Sequence, residues 1–113
     1  MQRDDLVYVH HMLETANRII VRTQPIDRSA FDADEDRQLA VLHLIQVFGE
    51  SARRVSEPFK SRHPDVPWRE IVGMRTKIVH DYFETDFGIV WDVAKEKLPA
   101  LIGQLKGILS GQS

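Results

Sequence analysis

Leu42-His43-Leu44-Ile45-Gln46-Val47-Phe48-Gly49-Glu50-Ser51-Ala52 is the segment that settles the class of architecture. It lies inside a longer run, about Glu35 to Glu57, in which Leu39, Val41, Leu42, Leu44, Ile45, Phe48, Ala52 and Val55 recur at helical spacing. The apolar face they make is wider than a single neighbouring helix needs. It suits the middle of a helical bundle or a helix shared with a second subunit. Gly49-Glu50 interrupts the face at mid-length, and the glutamate there reads either as a structural acceptor or as a site residue.

Outward from that helix, the flanking sequence supplies three more. Residues 4–23 carry Leu6, Val9, Leu13, Ala16 and Ile20 as an amphipathic stripe, with Asp4 and Asp5 complementing the helix start and Pro25 ending it. His10 and His11 are adjacent, so they point about 100° apart and read as surface or boundary residues rather than as a chelating pair. Asp27 to Glu35 is expected to be a connection. Asp32, Asp34 and Asp36 alternate as in a calcium loop, but Arg37 stands where that loop needs glycine, so helix-start carboxylates are the better reading. Pro58 to Val66 is expected to be a basic connection. Pro67 takes the first position of a third helix packed through Trp68, Ile71, Val72, Met74, Ile78, Val79 and Phe83. Thr85-Asp86 caps a fourth helix running through Leu109, which Pro99 should kink by removing a hydrogen bond and crowding the preceding turn. The expected fold is all-α, an antiparallel four-helix bundle with a kinked last helix, dimerising through the long helices. The whole chain, 1–113, reads as one domain, with a bundle over 4–109 and a tail over 110–113.

Composition narrows the function classes. Apolar residues make up 42% of the chain, enough for a packed interior. No apolar run approaches the ~20 residues of a membrane span, and the first residues lack the layout of a secretory signal. The absence of cysteine excludes thiol nucleophiles and zinc–thiolate sites and makes the cytoplasm the expected compartment. The net charge of −2 is unevenly spread. Residues 53–77 carry seven Lys or Arg against three Asp or Glu, whereas residues 1–52 carry five against nine. The basic block is either a solvated face of mixed charge or a surface that collects phosphates.

That block leads into Met74-Arg75-Thr76-Lys77-Ile78-Val79-His80-Asp81-Tyr82, where Arg75, His80 and Tyr82 spell R-x-x-x-x-H-x-Y. None of the three is needed to build a helical core. Together they can bind a phosphate, move a proton and offer a modifiable hydroxyl. On a straight helix Arg75 and Tyr82 lie within about 20° of one face, while Arg75 and His80 stand about 140° apart and ~7.5 Å along the axis. Either the arginine wraps back, or the helix frays near Asp81, or a second copy of the chain completes the site. Cleavage of an RNA backbone calls for a base, an acid and a cation. One histidine cannot be base and acid in the same step, but a two-fold dimer offers two. The structural alternatives are a boundary histidine and an arginine paired with Asp81 or Glu84.

The segment resembles the R-x4-6-H motif of the HEPN superfamily, and its R-x4-H-x-Y form resembles the HepT branch of toxin ribonucleases. Residues 42–52 are similar to that branch's long second helix with its Gly-Glu pair. Pro67 to Arg75 is similar to the entry into the motif helix, and Asp86 through Leu98-Pro99 to the last helix. The resemblance covers roughly residues 4 to 109. It implies an HEPN-like homodimeric bundle that cleaves RNA without metal or cofactor through 2′-hydroxyl attack, with Arg75 and His80 as catalytic residues. Arg75 would neutralise the scissile phosphate, and His80 would shuttle protons, histidine's unperturbed pKa being about 6.5. Tyr82 matches the tyrosine to which a partner nucleotidyltransferase antitoxin transfers AMP. Thr76 departs from the family's pattern, which often has asparagine or another polar amide or acid at this position. With Glu50 it is a possible supporting residue, and Arg53, Arg54 and Lys77 are candidate RNA contacts. The alternative reading is a non-catalytic helical nucleotide- or protein-binding partner of a nucleotidyltransferase. A weaker one is a bundle regulator with no nucleic-acid contact.

Overall fold

The computed structural model describes residues 3–78 and 84–111, with the side chains of Arg3 and Arg75 excepted. Its first helix, α1 (Arg3–Thr23), opens with Asp4 and Asp5 and buries Val9, Met12, Ala16 and Ile19 completely. The expected stripe is therefore rotated slightly. Leu6, Leu13 and Ile20 are half-buried flanks of a face whose centre also takes Met12 and Ile19. At its end the Thr23 hydroxyl donates to the Ile19 carbonyl at 3.0 Å, and Pro25 follows two residues later.

The acidic connection contains a helix the sequence pattern did not indicate, α2 (Arg28–Asp32). Asp27 caps it by accepting from the Ala30 N–H at 2.9 Å, and the fully buried Phe31 lies 5.0 Å from the Trp91 ring. A helix of about one turn shows no periodicity to read; a cap and one aromatic anchor hold it. The alternating aspartates have separate structural tasks. Asp32 pairs with Arg28 at 2.9 Å, while Asp34 caps the next helix, accepting from the Arg37 N–H at 3.0 Å and from its Nε at 3.1 Å.

Helix α3 (Glu35–Arg54) is the middle of the bundle, flanked by α1 on one side and by α5 (Trp68–Ile78) on the other. Its wide face is consumed there. Val41, Leu44, Ile45, Phe48, Ala52 and Val55 are buried, whereas Leu39 stays 51% exposed. Gly49 does not interrupt the helix. A Cβ at that position would sit 3.2 Å from the Ile71 carbonyl oxygen, so the missing side chain is what lets α3 and α5 approach. The helix ends at Arg54 rather than near Glu57, because Val55 turns extended and Ser56 caps a further short helix, α4 (Glu57–Arg62). This helix replaces the expected basic connection. Its anchor is Phe59, buried with its ring 4.6 Å from His63 and 6.5 Å from Trp68. Pro67 stands just ahead of α5, and its carbonyl accepts the Ile71 N–H at 3.0 Å.

Asp86 caps α6 (Phe87–Asp92) through the Ile89 N–H. The helix then passes through a π-helical turn, Val93–Lys97, into α7 (Leu98–Ser110). The expected kink at Pro99 takes this form. The Leu98 N–H reaches back five residues to the Val93 carbonyl, which leaves Pro99 in the first turn of a new α-helix, where a missing N–H has no partner to lose. Ser110 closes α7, so the expected tail begins with Gly111; residues 112 and 113 lie outside the described residues.

Polar ties fix the antiparallel order. The Asp5 carboxylate, on α1, is 3% exposed and accepts from the Ser56 N–H at 2.7 Å and its hydroxyl at 2.8 Å. At the opposite end Arg37 donates to the Arg22 carbonyl at 2.9 Å, and Lys95 donates to the Thr23 carbonyl at 3.1 Å. Gln104 on α7 donates to the Asp65 carbonyl, just ahead of α5, at 2.7 Å. The fold is all-α, with no β-strand among the described residues. No helix among them is long and apolar enough to cross a membrane.

Substitutions at three positions test this framework. Asp5→Ala leaves the half-buried amide and hydroxyl of Ser56 without their partner and is expected to lower unfolding free energy by about 1–3 kcal/mol in a denaturant titration, with Asp5→Asn losing less. Gly103→Ala, at an exposed position where a Cβ meets nothing within 4 Å, is expected to stabilise by roughly 0.5–1 kcal/mol. Gly49→Ala should instead destabilise, because overpacking of about 1–3 kcal/mol against a helix carbonyl outweighs the same propensity gain.

Candidate functional site

The motif helix is α5, and its register places the predicted residues. Ile71, Met74 and Ile78 form the buried side. Val72, half-buried, lies on the flank that borders α3, together with Arg53 of that helix. Arg75 comes three residues after Val72 and one turn after Ile71, so its backbone sits on the same flank, at the edge of the buried side. The Arg75 side chain, His80 and Tyr82 lie outside the described residues, as do Val79, Asp81 and Phe83. What is described is how the segment between 78 and 86 is anchored. Ile78 is fully buried, and its carbonyl accepts the Asp86 N–H at 2.8 Å, so the chain leaves α5 and re-enters at the cap of α6 across one hydrogen bond.

The supporting residues divide between two flanks of α5. Thr76 and Lys77 are both exposed. Lys77 borders a small cleft with Glu70, Met74, Ile89, Val93 and Lys97, on the side facing the last helix. Two residues, about 200° of helix, separate it from Arg75. Lys77 is therefore on a different flank from the other two candidate RNA contacts, Arg53 and Arg54. Those two meet at Glu50. Its carboxylate accepts from Arg53 Nη2 at 2.6 Å and Nε at 3.1 Å, and from Arg54 Nε at 3.3 Å. The Arg53 hydrogen bond, with Arg54 behind it, holds the Glu50 carboxyl below its ordinary range, so it stays charged at neutral pH. The Tyr8 hydroxyl, ahead of Glu50, holds the Arg54 guanidinium above its ordinary value. Glu50 thus acts as the acceptor of an exposed cluster whose net charge is +1.

A cleft of about 450 Å³ between α1 and α3 adjoins this cluster, bordered by Tyr8, His11, His43, Gln46, Glu50 and Arg54. His10, His11 and His43 are all exposed, as expected of the first two. A larger groove of about 670 Å³ lies where α3, α4 and the start of α5 meet, and it gathers Arg53, Lys60 and Arg69. Lys60 and Arg69 belong to the basic block but were not singled out by sequence reasoning. The signal that could have found them is the fold-back of α4, which depends on Phe59 reaching the core. Chemically, the α3-facing flank of α5 offers cations from three elements on one side of an apolar wall, an arrangement fit for a polyanion.

A family model described as "Ribonuclease HepT-like" matches residues 12–108. Among curated relatives, "Putative RNase MJ1380" of Methanocaldococcus jannaschii is 33% identical over 100 residues, 88% of this chain and 92% of that one. "Probable ribonuclease HepT" of Thermococcus cleftensis is 33% identical over 106 residues, 94% of this chain and 96% of that one. "Putative RNase TTE0752" of Caldanaerobacter subterraneus subsp. tengcongensis is 32% identical over 102 residues, 90% of this chain and 91% of that one. No solved structure gives a significant match. With the family match spanning the α3 wall, the motif helix and the last helix, the chain belongs to the HepT-like ribonuclease family.

Proposed function

We propose that this protein is the toxin of a toxin–antitoxin pair, a cytoplasmic endoribonuclease that works as a homodimer. The observation that carries the reading is the family match across residues 12–108, which contains Arg75, His80 and Tyr82 at R-x4-H-x-Y spacing. In the reaction, the 2′-hydroxyl loses its proton to one His80 and attacks the adjacent phosphorus. The P–O5′ bond breaks as the departing oxygen takes a proton from the His80 of the second copy. Products are a 2′,3′-cyclic phosphate and a 5′-hydroxyl, and no metal or cofactor enters the balance. Arg75 supplies the planar, permanently charged fork that the phosphorane needs. Support for dimerisation comes from α3, where Leu39 is 51% exposed and the neighbouring Leu42, at the edge of the core, is only half-buried.

Silencing follows from the same residues. A partner nucleotidyltransferase activates the Tyr82 hydroxyl to attack the α-phosphorus of ATP, releasing pyrophosphate and leaving AMP on the phenol. The added phosphate places negative charge and bulk two residues along the chain from His80, which opposes the approach of an anionic RNA strand.

Labelled RNA incubated with the purified protein in EDTA is expected to give fragments with 2′,3′-cyclic ends. Arg75→Ala and His80→Ala should each lower the rate by at least about 10²-fold while the circular dichroism spectrum is unchanged. Undiminished cleavage by His80→Ala would overturn the assignment. Separately, intact-mass analysis after incubation with the partner and ATP should show AMP increments on the wild type and none on Tyr82→Phe. An AMP increment on Tyr82→Phe places the acceptor elsewhere.

A further inference from the structure

The α3–α4–α5 groove, the larger of the two described above, borders the motif helix, and the catalytic reading leaves it without a task. Arg53 closes α3 on one side of it, Lys60 and Ser61 come from α4, and Trp68, Arg69 and Val72 come from α5. Three cations from three elements face one carboxylate, Glu57. They are differently committed. Arg53 is held by Glu50 through two hydrogen bonds. Lys60 lays its stem against the groove wall, its side chain only 14% exposed, and presents its ammonium 3.5 Å from the Glu57 carboxylate. Glu57 itself is 87% exposed, so that pair is water-screened and readily exchanged for another anion. Arg69 is exposed and has no ion pair with any described residue.

The position of the groove says what it can hold. Val72, on its wall, is one turn before Arg75 on the same flank of α5. Arg69 is six residues from Arg75, about 9 Å along the helix axis and about 120° around it, with Val72 midway between the two. A strand with one phosphate at Arg75 therefore runs on toward Arg69 and Lys60. Val66, Trp68 and Val72 give it an apolar wall, and the Ser61 hydroxyl a polar contact. A volume of about 670 Å³ is enough for a nucleotide-sized occupant. Cations distributed along a groove that continues the motif flank match a polyanionic strand better than a single acidic side chain of a protein partner.

We propose that the α3–α4–α5 groove is an RNA-backbone subsite in which Lys60 and Arg69 hold phosphates beside the bond cut at Arg75. This inference rests on the ribonuclease reading for the identity of the strand, but its test is separable from it. Lys60→Met keeps the buried stem, and Arg69→Gln, at an exposed position, keeps a polar hydrogen-bonding end, so the double variant removes charge while preserving the fold. Binding of a fluorescent single-stranded RNA is measured by anisotropy on the cleavage-deficient His80→Ala background, across a salt series. Cleavage kinetics are measured on the otherwise wild-type chain. Lys106→Ala, exposed on the last helix, is the control. The double variant is expected to bind about tenfold more weakly, irrespective of RNA sequence, with the log–log salt slope reduced by about 0.7 for each contact removed. In cleavage, KM should rise with kcat retained. Unchanged affinity and salt slope overturn the proposal even when the wild type cleaves RNA, and so does an absence of RNA binding by the parent. Unchanged RNA binding with lost binding to an acidic protein partner overturns it in favour of a protein-docking surface. Groove-dependent RNA binding without any cleavage by the wild type upholds the subsite and removes the ribonuclease reading instead.

Discussion

The contact on which the rest of the structure depends is the approach of the Ile71 carbonyl to Gly49. At 3.2 Å from where a Cβ would stand, that carbonyl packs against bare backbone of α3. Interhelical distance is set by the bulkiest side chain at the crossing, and here there is none. Close packing of α3 and α5 then fixes two things at once. It closes the core over Phe48, Ile71 and Ile78, all nearly or fully buried, and it brings the flank carrying Val72 and Arg75 alongside the exposed side of α3. The Gly-Glu pair that interrupts the apolar face of α3 is the place where the motif helix is seated.

Around that crossing, the ends of the helices are tied by polar contacts, while their middles are packed by apolar ones. Asp5 to Ser56, Arg37 to the Arg22 carbonyl and Lys95 to the Thr23 carbonyl each satisfy a group that a helix end leaves open. The arrangement is economical because several residues serve twice. Ser56 caps α4 and also donates to Asp5. Lys95 reaches Thr23 from within the π turn and lies 4.9 Å from the Trp91 ring. The π turn lets a single long element carry Pro99 without losing its packing on α1, since the register shift is absorbed where the chain is already held from both sides.

Electrostatics sort the basic block into groups with different availability. Glu50 takes Arg53 and shares Arg54 with the Tyr8 hydroxyl, which fixes those guanidinium groups as a wall. Lys77 is turned toward Lys97 and the last helix. The charge left facing the open groove belongs to Lys60 and Arg69. A count along the chain shows a net +4 between residues 53 and 77, but it is pairing in space that decides which of those charges can meet an anion.

Much of this was legible in the residues themselves, because the interactions concerned are local. Four helical units, the carboxylates at the start of α3, the cap at Asp86, the stop at Pro25 and the disturbance at Pro99 all follow from periodicities of three and four and from backbone donors within one turn. The R-x4-H-x-Y spacing and its neighbours pointed to the ribonuclease family for the same reason: a motif on one helix is a one-dimensional pattern. What only the tertiary structure decided involves partners distant along the chain. Helices α2 and α4 are too short to show a period and exist because Phe31 and Phe59 find buried sites made by other elements. The exact buried stripe of α1, the seat at Gly49 and the separation of Lys77 from Arg53 all depend on which helix lies opposite. Sequence determines the faces a helix can offer; the neighbour across the contact determines which of them is used.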